Sequence, residues 1–402
     1  MTQPYTSLEE ELERYAFSFP ILDKLTEYFA SQGRLEGKKI GWHCHLTGLT
    51  AAAARVLLGA GAKLFVSECT AATTDWAAVT YMKQLGASVY QGADSPRKVL
   101  DNRPLVISDT GFVLSSEYLK DVEVGNQYVF AGCEITTSGI HRLRQVATLP
   151  LPILNINDGE LKALIENYHG VGDGVLEALF RLTWRVWAGR AVAVVGYGRV
   201  GAGVANYLRR TGATVFVVEM DPIRQLVAHY DGFGLLDLPE ALAGCELTVT
   251  ATGSKAVINA ADLAFVRDGA VLMNVGHWAE EIDVAAIRQS AQAQRTVAKH
   301  LEEYTLADGN GSKKIFVIAA GGPANVVLLS GSPEPTLIHL TTELLCMNFL
   351  ATQQEQGSVL QSGEHPVPRE VERQASILAL RCLGRSDCLK ISAPLPVGLE
   401  AV

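Results

Sequence analysis

Short unbroken apolar runs and longer stretches of helically spaced apolar residues alternate along most of this chain. The runs at 39–42, 63–68, 88–90 and 105–108 read as strands, and the periodic stretches at 7–29, 47–59 and 74–85 read as helices. Strands that alternate with helices build a parallel sheet with crossover connections. The pattern repeats further on: strands are expected at 191–195, 214–218, 247–252, 270–275 and 314–319, with a helix near 223–229, which completes a doubly wound sheet. Between the halves, 175–187 reads as an amphipathic helix in a stretch bracketed by Gly170 and Gly189, a hinge between two units. A long helix at 336–353 follows, then a polar, proline-containing stretch and a last helix at 369–383. The expected fold class is therefore α/β, two domains with parallel sheets and a hinge helix between them. A length of 402 residues, too great for one ordinary core, agrees.

One strand run carries chemistry. Residues 191–203 read Ala-Val-Ala-Val-Val-Gly-Tyr-Gly-Arg-Val-Gly-Ala-Gly, a strand buried on both faces followed by Gly196-x-Gly198-x-x-Gly201 at the start of a helix. Glycines there let the backbone turn tightly and approach a pyrophosphate at the helix N-terminus. The next strand ends at Glu219, 18 positions after Gly201 (219 − 201), where a carboxylate accepts both ribose hydroxyls of NAD and repels a 2'-phosphate. Strand, spacing and acid together point to a Rossmann domain that holds NAD.

Composition narrows the remaining possibilities. With 48% hydrophobic and 19% charged residues the chain has ample core, and a net charge of −9 argues against a nucleic-acid partner. Seven scattered cysteines without a Cys-x-x-Cys indicate neither a disulfide framework nor a zinc site. His43 and His45 bracket Cys44 but lack a third ligand at a usual spacing, so no metal is expected. The acidic start of the chain has no apolar leader, and no run of about 18 apolar residues occurs, so a cytoplasmic protein without membrane contact is expected.

Polar clusters stand where the expected strands end, the side on which an open α/β sheet binds its ligands. They are His43 and His45, Thr73-Thr74-Asp75, Asp109, Glu134-Ile-Thr-Thr-Ser138, the stretch from Asn155 to Lys162 with Glu166 and Asn167, and Asn274-Val-Gly-His277. Lys162 and Glu166 are four apart and share a helical face, and a lysine beside a carboxylate becomes a proton acceptor when burial lowers its pKa. Several of these segments, Glu-Ile-Thr-Thr-Ser-Gly-Ile-His-Arg-Leu, Asn-Ile-Asn-Asp-x-x-x-Lys-x-x-x-Glu-Asn-x-x-Gly, Val-Gly-Tyr-Gly-x-Val-Gly-x-Gly, Glu-Met-Asp-Pro and Asn-Val-Gly-His-Trp-x-x-Glu-Ile-Asp, closely resemble S-adenosylhomocysteine hydrolase. With gaps, the resemblance runs from about residue 43 to about residue 372.

What the resemblance implies is an enzyme that uses tightly held NAD as a recycled catalyst. A nucleoside ribose is oxidised at carbon 3', the ketone acidifies the hydrogen on carbon 4', and the 5' substituent leaves by β-elimination. Water then adds and the ketone is reduced. Lys162 and Glu166 match the proton acceptor for the 3'-hydroxyl, with Glu where the family usually has Asp. His45 and Asp109 match the acid/base groups for elimination and water addition, and His277 a histidine near the 5' leaving group and the nicotinamide. Thr47, Thr73, Thr74 and Glu134, with Leu49, Ile135 and Ser332, fall at substrate-binding positions. Thr136, Thr137, Ser138, Asn167, Gly196, Gly198, Arg199, Val200, Gly201, Glu219, Thr252, Gly253, Val275, Gly276 and Asn325 fall at cofactor positions. The implied units are a substrate-binding domain at 1–170 and 326–368, an NAD-binding domain at 171–325, and a C-terminal helix and tail at 369–402. A homo-oligomer, tetramer or dimer, is also implied.

The departures lie on the substrate side. Leu49 replaces a polar residue at the base edge, Ile135 a Glu near the ribose hydroxyls, Ser332 the histidine of the family's Gly-His-Pro-Ser gate, and Val171 a cysteine near the cofactor. No Tyr follows Tyr304, so Lys390 stands alone where the family's tail carries a Lys and a Tyr into a neighbouring subunit. A site that hydrogen-bonds a base rejects it steeply once those groups are gone. Two alternatives to thioether hydrolysis follow: a nucleoside 4',5'-dehydratase or lyase of specialised metabolism, in which water does not add back, and a non-catalytic NAD-binding paralogue. A 2-hydroxyacid dehydrogenase shares the layout but lacks the Asn-Ile-Asn-Asp block.

Overall fold

The computed structural model describes residues 7–32, 35–276, 279–309, 311–357 and 360–385. Its strands in chain order are β1 (Lys39–Cys44), β2 (Lys63–Glu68), β3 (Ser88–Tyr90), β4 (Val106–Asp109), β5 (Ala131–Glu134), β6 (Pro152–Asn155), β7 (Ala191–Val195), β8 (Thr214–Val218), β9 (Gly234–Leu235), β10 (Leu247–Thr250), β11 (Val271–Asn274), β12 (Ala291–Ala298), β13 (Leu301–Asp308), β14 (Gly311–Ile318) and β15 (Gly363–Pro366). One sheet has the order β15-β6-β5-β4-β1-β2-β3, with every neighbour parallel. The second has the order β12-β13-β14-β11-β10-β7-β8-β9.

The expected parallel arrangement holds for the first sheet and for the part of the second from β14 to β9. An antiparallel ribbon, β12–β13–β14, extends the second sheet and makes it mixed. Periodicity gives no sign of β12, because Ala291–Ala298 is an exposed edge strand with almost no apolar alternation. β15 is equally hidden: four residues with His and Pro, set beside β6 from more than 200 positions away. The hinge helix also differs from its expected span. It runs Val171–Thr183 and stops at Trp184, whose left-handed φ of 51° ends the helical path.

The helix Glu334–Glu355 is buried along nearly its whole length, and Leu337, Leu340, Leu344, Leu345, Met347 and Leu350 join the core under β1. A helix with no polar face belongs inside. Its threonines stay satisfied by bonding back one turn, Thr341 to Leu337 O at 2.8 Å and Thr342 to Ile338 O at 3.0 Å. The helix Arg369–Cys382 adds Val371, Ala375, Leu378 and Ala379 to that same core.

Candidate active site

Because the first sheet is parallel, β1, β4, β5 and β6 all end on one rim, and registry sets Asp109 beside Glu134 and Glu134 beside Asn155. Glu134 is fully buried and accepts Phe112 N at 2.7 Å, Gly111 N at 3.1 Å, Thr136 N at 2.8 Å and Thr136 Oγ1 at 2.6 Å. Burial first, then the Asp109 carboxylate, push its pKa up to about 8 against the pull of those donors. Asp109 itself accepts Val113 N at 2.9 Å, Leu114 N at 3.1 Å and Ser115 N at 2.7 Å, so both its oxygens hold the start of the helix Val113–Glu123.

On the neighbouring strand, His45 Nδ1 lies 2.7 Å from Thr73 Oγ1. The Thr73 hydroxyl also lies 3.2 Å from Thr70 O, so it joins His45 to the turn that follows β2. His43 is buried against Ser67 Oγ at 2.8 Å, and desolvation holds its pKa below the usual histidine range despite Asp109. Thr47 caps the helix Gly48–Gly59, and Thr74 Oγ1 donates to Glu68 at 2.6 Å. Leu49 and Ile135 are partly buried against the first core, as apolar residues should be.

Between the two sheets the chain winds more widely than an α-helix. Lys162–Gly170 is a π-helical stretch, and Val171 N bonds back to Glu166 O five residues earlier. Lys162 and Glu166 form an ion pair on it, both side chains largely buried. Burial pushes Glu166 upward, but the Lys162 charge, helped by His339 and Thr336, brings its pKa below the ordinary carboxylate range. Thr137 Oγ1 donates to Asn157 at 3.0 Å, and Ser138 lies 3.3 Å from the Thr136 hydroxyl, which ties this part of the rim together.

The second sheet presents the glycine loop. Gly196 takes φ +94°, and a Cβ on Gly201 would overlap Gly196 O, so both positions demand glycine. Gly198 has no strained angle, and a Cβ there would meet nothing nearer than Arg224 at 3.7 Å, which leaves a cradle above the start of the helix Arg199–Arg210. Glu219 lies beside that cradle: its carboxylate accepts Tyr197 N at 2.6 Å, Met220 N at 2.7 Å and Asp221 N at 3.0 Å. Asn325 Oδ1 is buried with no hydrogen-bond partner among the described residues, an acceptor left unsatisfied by the protein. Cradle, carboxylate and orphaned acceptor fit NAD. Arg199 reaches across to Asn157 O at 3.5 Å and links the two rims.

Glu281 falls within the Asn-Val-Gly-His-Trp-x-x-Glu-Ile-Asp segment, but the sequence alone gives it no role. It is fully buried and accepts Thr252 N at 3.0 Å, Thr252 Oγ1 at 2.9 Å and Gly253 N at 2.6 Å, while a Cβ on Gly276 would overlap it. One side chain thus positions three expected cofactor residues. His339 and Glu343, buried behind Lys162 and Glu166, were missed as well, since no motif marks them. Ser332 is exposed at a turn where its N–H donates to Asp173 at 2.7 Å, apart from the rim cluster. His277 lies outside the described residues, as does Lys390. Among the described residues no cluster of three or more His, Cys, Asp or Glu is arranged to hold a metal, and no helix is long and apolar enough to cross a membrane.

A Rossmann sheet whose nucleotide loop abuts a second parallel sheet, with a lysine–carboxylate pair between them, defines an enzyme that works with NAD. Residues 167–330 match the NAD-binding domain of S-adenosyl-L-homocysteine hydrolase. The chain is 32% identical over 91% of its length to S-inosyl-L-homocysteine hydrolase of Methanosarcina mazei, covering 90% of that protein. It is 32% identical over 94% of its length to adenosylhomocysteinase of Aquifex aeolicus, covering 92% of that protein. The chain belongs to the S-adenosyl-L-homocysteine hydrolase family, as a divergent member.

Proposed function

We propose that this enzyme hydrolyses a purine nucleosidyl-homocysteine thioether by oxidising the ribose at carbon 3', eliminating the 5' thiol and adding water. The observation that carries this reading is the buried Lys162–Glu166 pair on a π-helical turn, within one chain segment of both the first rim and the NAD-binding loop. NAD, when bound, supplies the acceptor for the hydride on carbon 3'. Lys162 takes the proton of the 3'-hydroxyl as it gives its own ammonium proton to Glu166, the carboxylate paired with it. The 3'-ketone acidifies hydrogen 4', and His45 Nε2 exchanges protons with carbon 4' and the departing sulfur. Asp109 acts by fixing the start of the helix Val113–Glu123, because the N–H groups of Val113, Leu114 and Ser115 engage its oxygens. Glu134 holds Thr136 and the Gly111 turn in place.

The base favoured is hypoxanthine as well as adenine. Leu49 and Ile135 put apolar surface on the substrate side, and relatives named S-inosyl-L-homocysteine hydrolase and adenosylhomocysteinase match this chain equally, at 32% identity. Assembly into a homo-oligomer belongs to the same reading, supported by the exposed apolar face of Ile223, Leu226, Val227 and Tyr230, and sedimentation velocity tests it. Incubation with S-inosylhomocysteine and with S-adenosylhomocysteine, assaying free thiol and nucleoside, tests the function. Release of homocysteine from at least one of them supports it. NAD-loaded protein that releases thiol from neither contradicts it, and a 4',5'-unsaturated nucleoside as end product points to the lyase instead.

A further inference from the structure

Behind the Lys162–Glu166 pair, the helix Glu334–Glu355 carries His339 and Glu343 one turn apart, 3% and 1% exposed. Glu343 Oε1 accepts Trp42 Nε1 at 2.7 Å and Ser108 Oγ at 2.6 Å. Its other oxygen, Oε2, has no hydrogen bond and faces His339 Nε2 at 3.7 Å. His339 Nδ1 is likewise without a hydrogen bond and faces Glu166 Oε2 at 3.9 Å, the oxygen that pairs with Lys162. Buried polar atoms are almost always satisfied, so two orphans aimed along one line are an arrangement that serves something other than packing. The other groups around Glu343 are the Lys162 and Glu166 charges and the thiols of Cys44 and Cys133, the latter against Cys346. Around His339 they are Lys162 and Glu166.

The order of bonds gives the line a direction. Oε1 is occupied by two donors, so a proton on Glu343 resides on Oε2 and points at His339 Nε2. His339 then presents its single N–H from Nδ1 toward Glu166. Each gap needs to shorten by about 1 Å to reach hydrogen-bond length, within the range of an imidazole rotation.

We propose that Glu343, acting through His339, is the proton reservoir of the Lys162–Glu166 pair. The proposal rests on the reaction above. The proton from the substrate hydroxyl passes from Lys162 Nζ to Glu166 Oε2 and on to His339 Nδ1, while the Nε2 proton moves to Glu343 Oε2. The hydride goes to the bound nicotinamide. In the closing reduction of the ketone every proton shift reverses, so the reservoir is restored with each turnover. Burial suits Glu343 to this role by raising its pKa to about 7, so that both its forms are populated near neutrality. Burial likewise keeps the imidazole neutral, with a pKa lowered to about 3. Glu343 and His339 are positioning residues, for neither need touch substrate.

Two measurements on the NAD-loaded full chain test this. The first is infrared difference spectroscopy across a pH titration without substrate. The expected result is a carboxyl C=O band that disappears near neutral pH, is missing in Glu343→Gln, and shifts its midpoint in Lys162→Met. A band whose midpoint ignores Lys162→Met overturns the proposal. The second is the rate of nicotinamide reduction by S-inosylhomocysteine or S-adenosylhomocysteine as a function of pH. Glu343→Gln keeps both bonds to Oε1 yet takes no proton. It is expected to slow reduction by about tenfold or more and abolish the limb near neutrality, with KM unchanged, no loss of melting temperature and Glu343→Asp partly restoring the rate. An unchanged profile, or a uniform loss that keeps its shape, overturns the proposal. If the wild type reduces no nicotinamide, the reaction reading has failed and the infrared result alone decides the reservoir.

Discussion

At the scale of single residues, the site is a set of carboxylates with different duties assigned by their partners. Glu219 and Glu281 are spent on N–H groups at the rim of the second sheet, Asp109 and Glu134 on turns at the rim of the first, and of these five only Glu166 meets a lysine. Replacing Lys162 with Met is expected to lower nicotinamide reduction by on the order of 1000-fold while NAD still binds, read by rapid-mixing absorbance and by calorimetric titration. Glu281→Ala strips three donors of their acceptor; a loss of about 1–3 kcal/mol in stability and a weaker NAD complex are expected, and normal NAD affinity would argue that Glu281 only packs. Glu134 and Glu343 have pKa values raised to about 8 and about 7, from an ordinary 4.5. The native state therefore holds protons the unfolded chain has released, so stability is greatest below about pH 4.5 as far as these groups go and is lost as pH rises through about 7 to 8. Melting temperature is expected to fall over that window and to fall less in Glu343→Gln; an identical slope in the variant contradicts the raised value.

Elements decide whether those residues meet. The π-helical stretch Lys162–Gly170 is followed at once by the helix Val171–Thr183, and the helix Arg199–Arg210 crosses it so closely that a Cβ on Gly203 would overlap Tyr168 O. Gly203→Ala is expected to cost about 1–3 kcal/mol in a thermal or urea melt, whereas Gly198→Ala, with open space at its Cβ, leaves the melt unchanged and weakens NAD. Equal destabilisation by both would contradict this division. The glycine loop, Glu219 and the lysine–carboxylate pair were legible in the sequence because each depends on local spacing. β15, the β12–β13 ribbon, and His339 with Glu343 were not. They depend on which distant segment a strand or helix lands against, and a helix buried along nearly its whole length gives His339 and Glu343 no pattern to stand out from.

Over the whole molecule, two sheets turn their binding rims toward a shared segment of chain, so the oxidation and elimination proposed above would use one substrate pose. Arg199 to Asn157 and Ser330 to Gly174, at 3.5 and 2.8 Å, hold that junction. In the proposed reaction NAD is a recycled catalyst. Mixing NAD-loaded enzyme with a limited excess of S-inosylhomocysteine or S-adenosylhomocysteine, while following reduced-nicotinamide absorbance and thiol release together, measures this directly. A recycled NAD gives a transient rise that decays to the starting level while thiol exceeds bound NAD. Reduced nicotinamide that accumulates one for one with product, or thiol released with no transient even under single-turnover conditions, would contradict it.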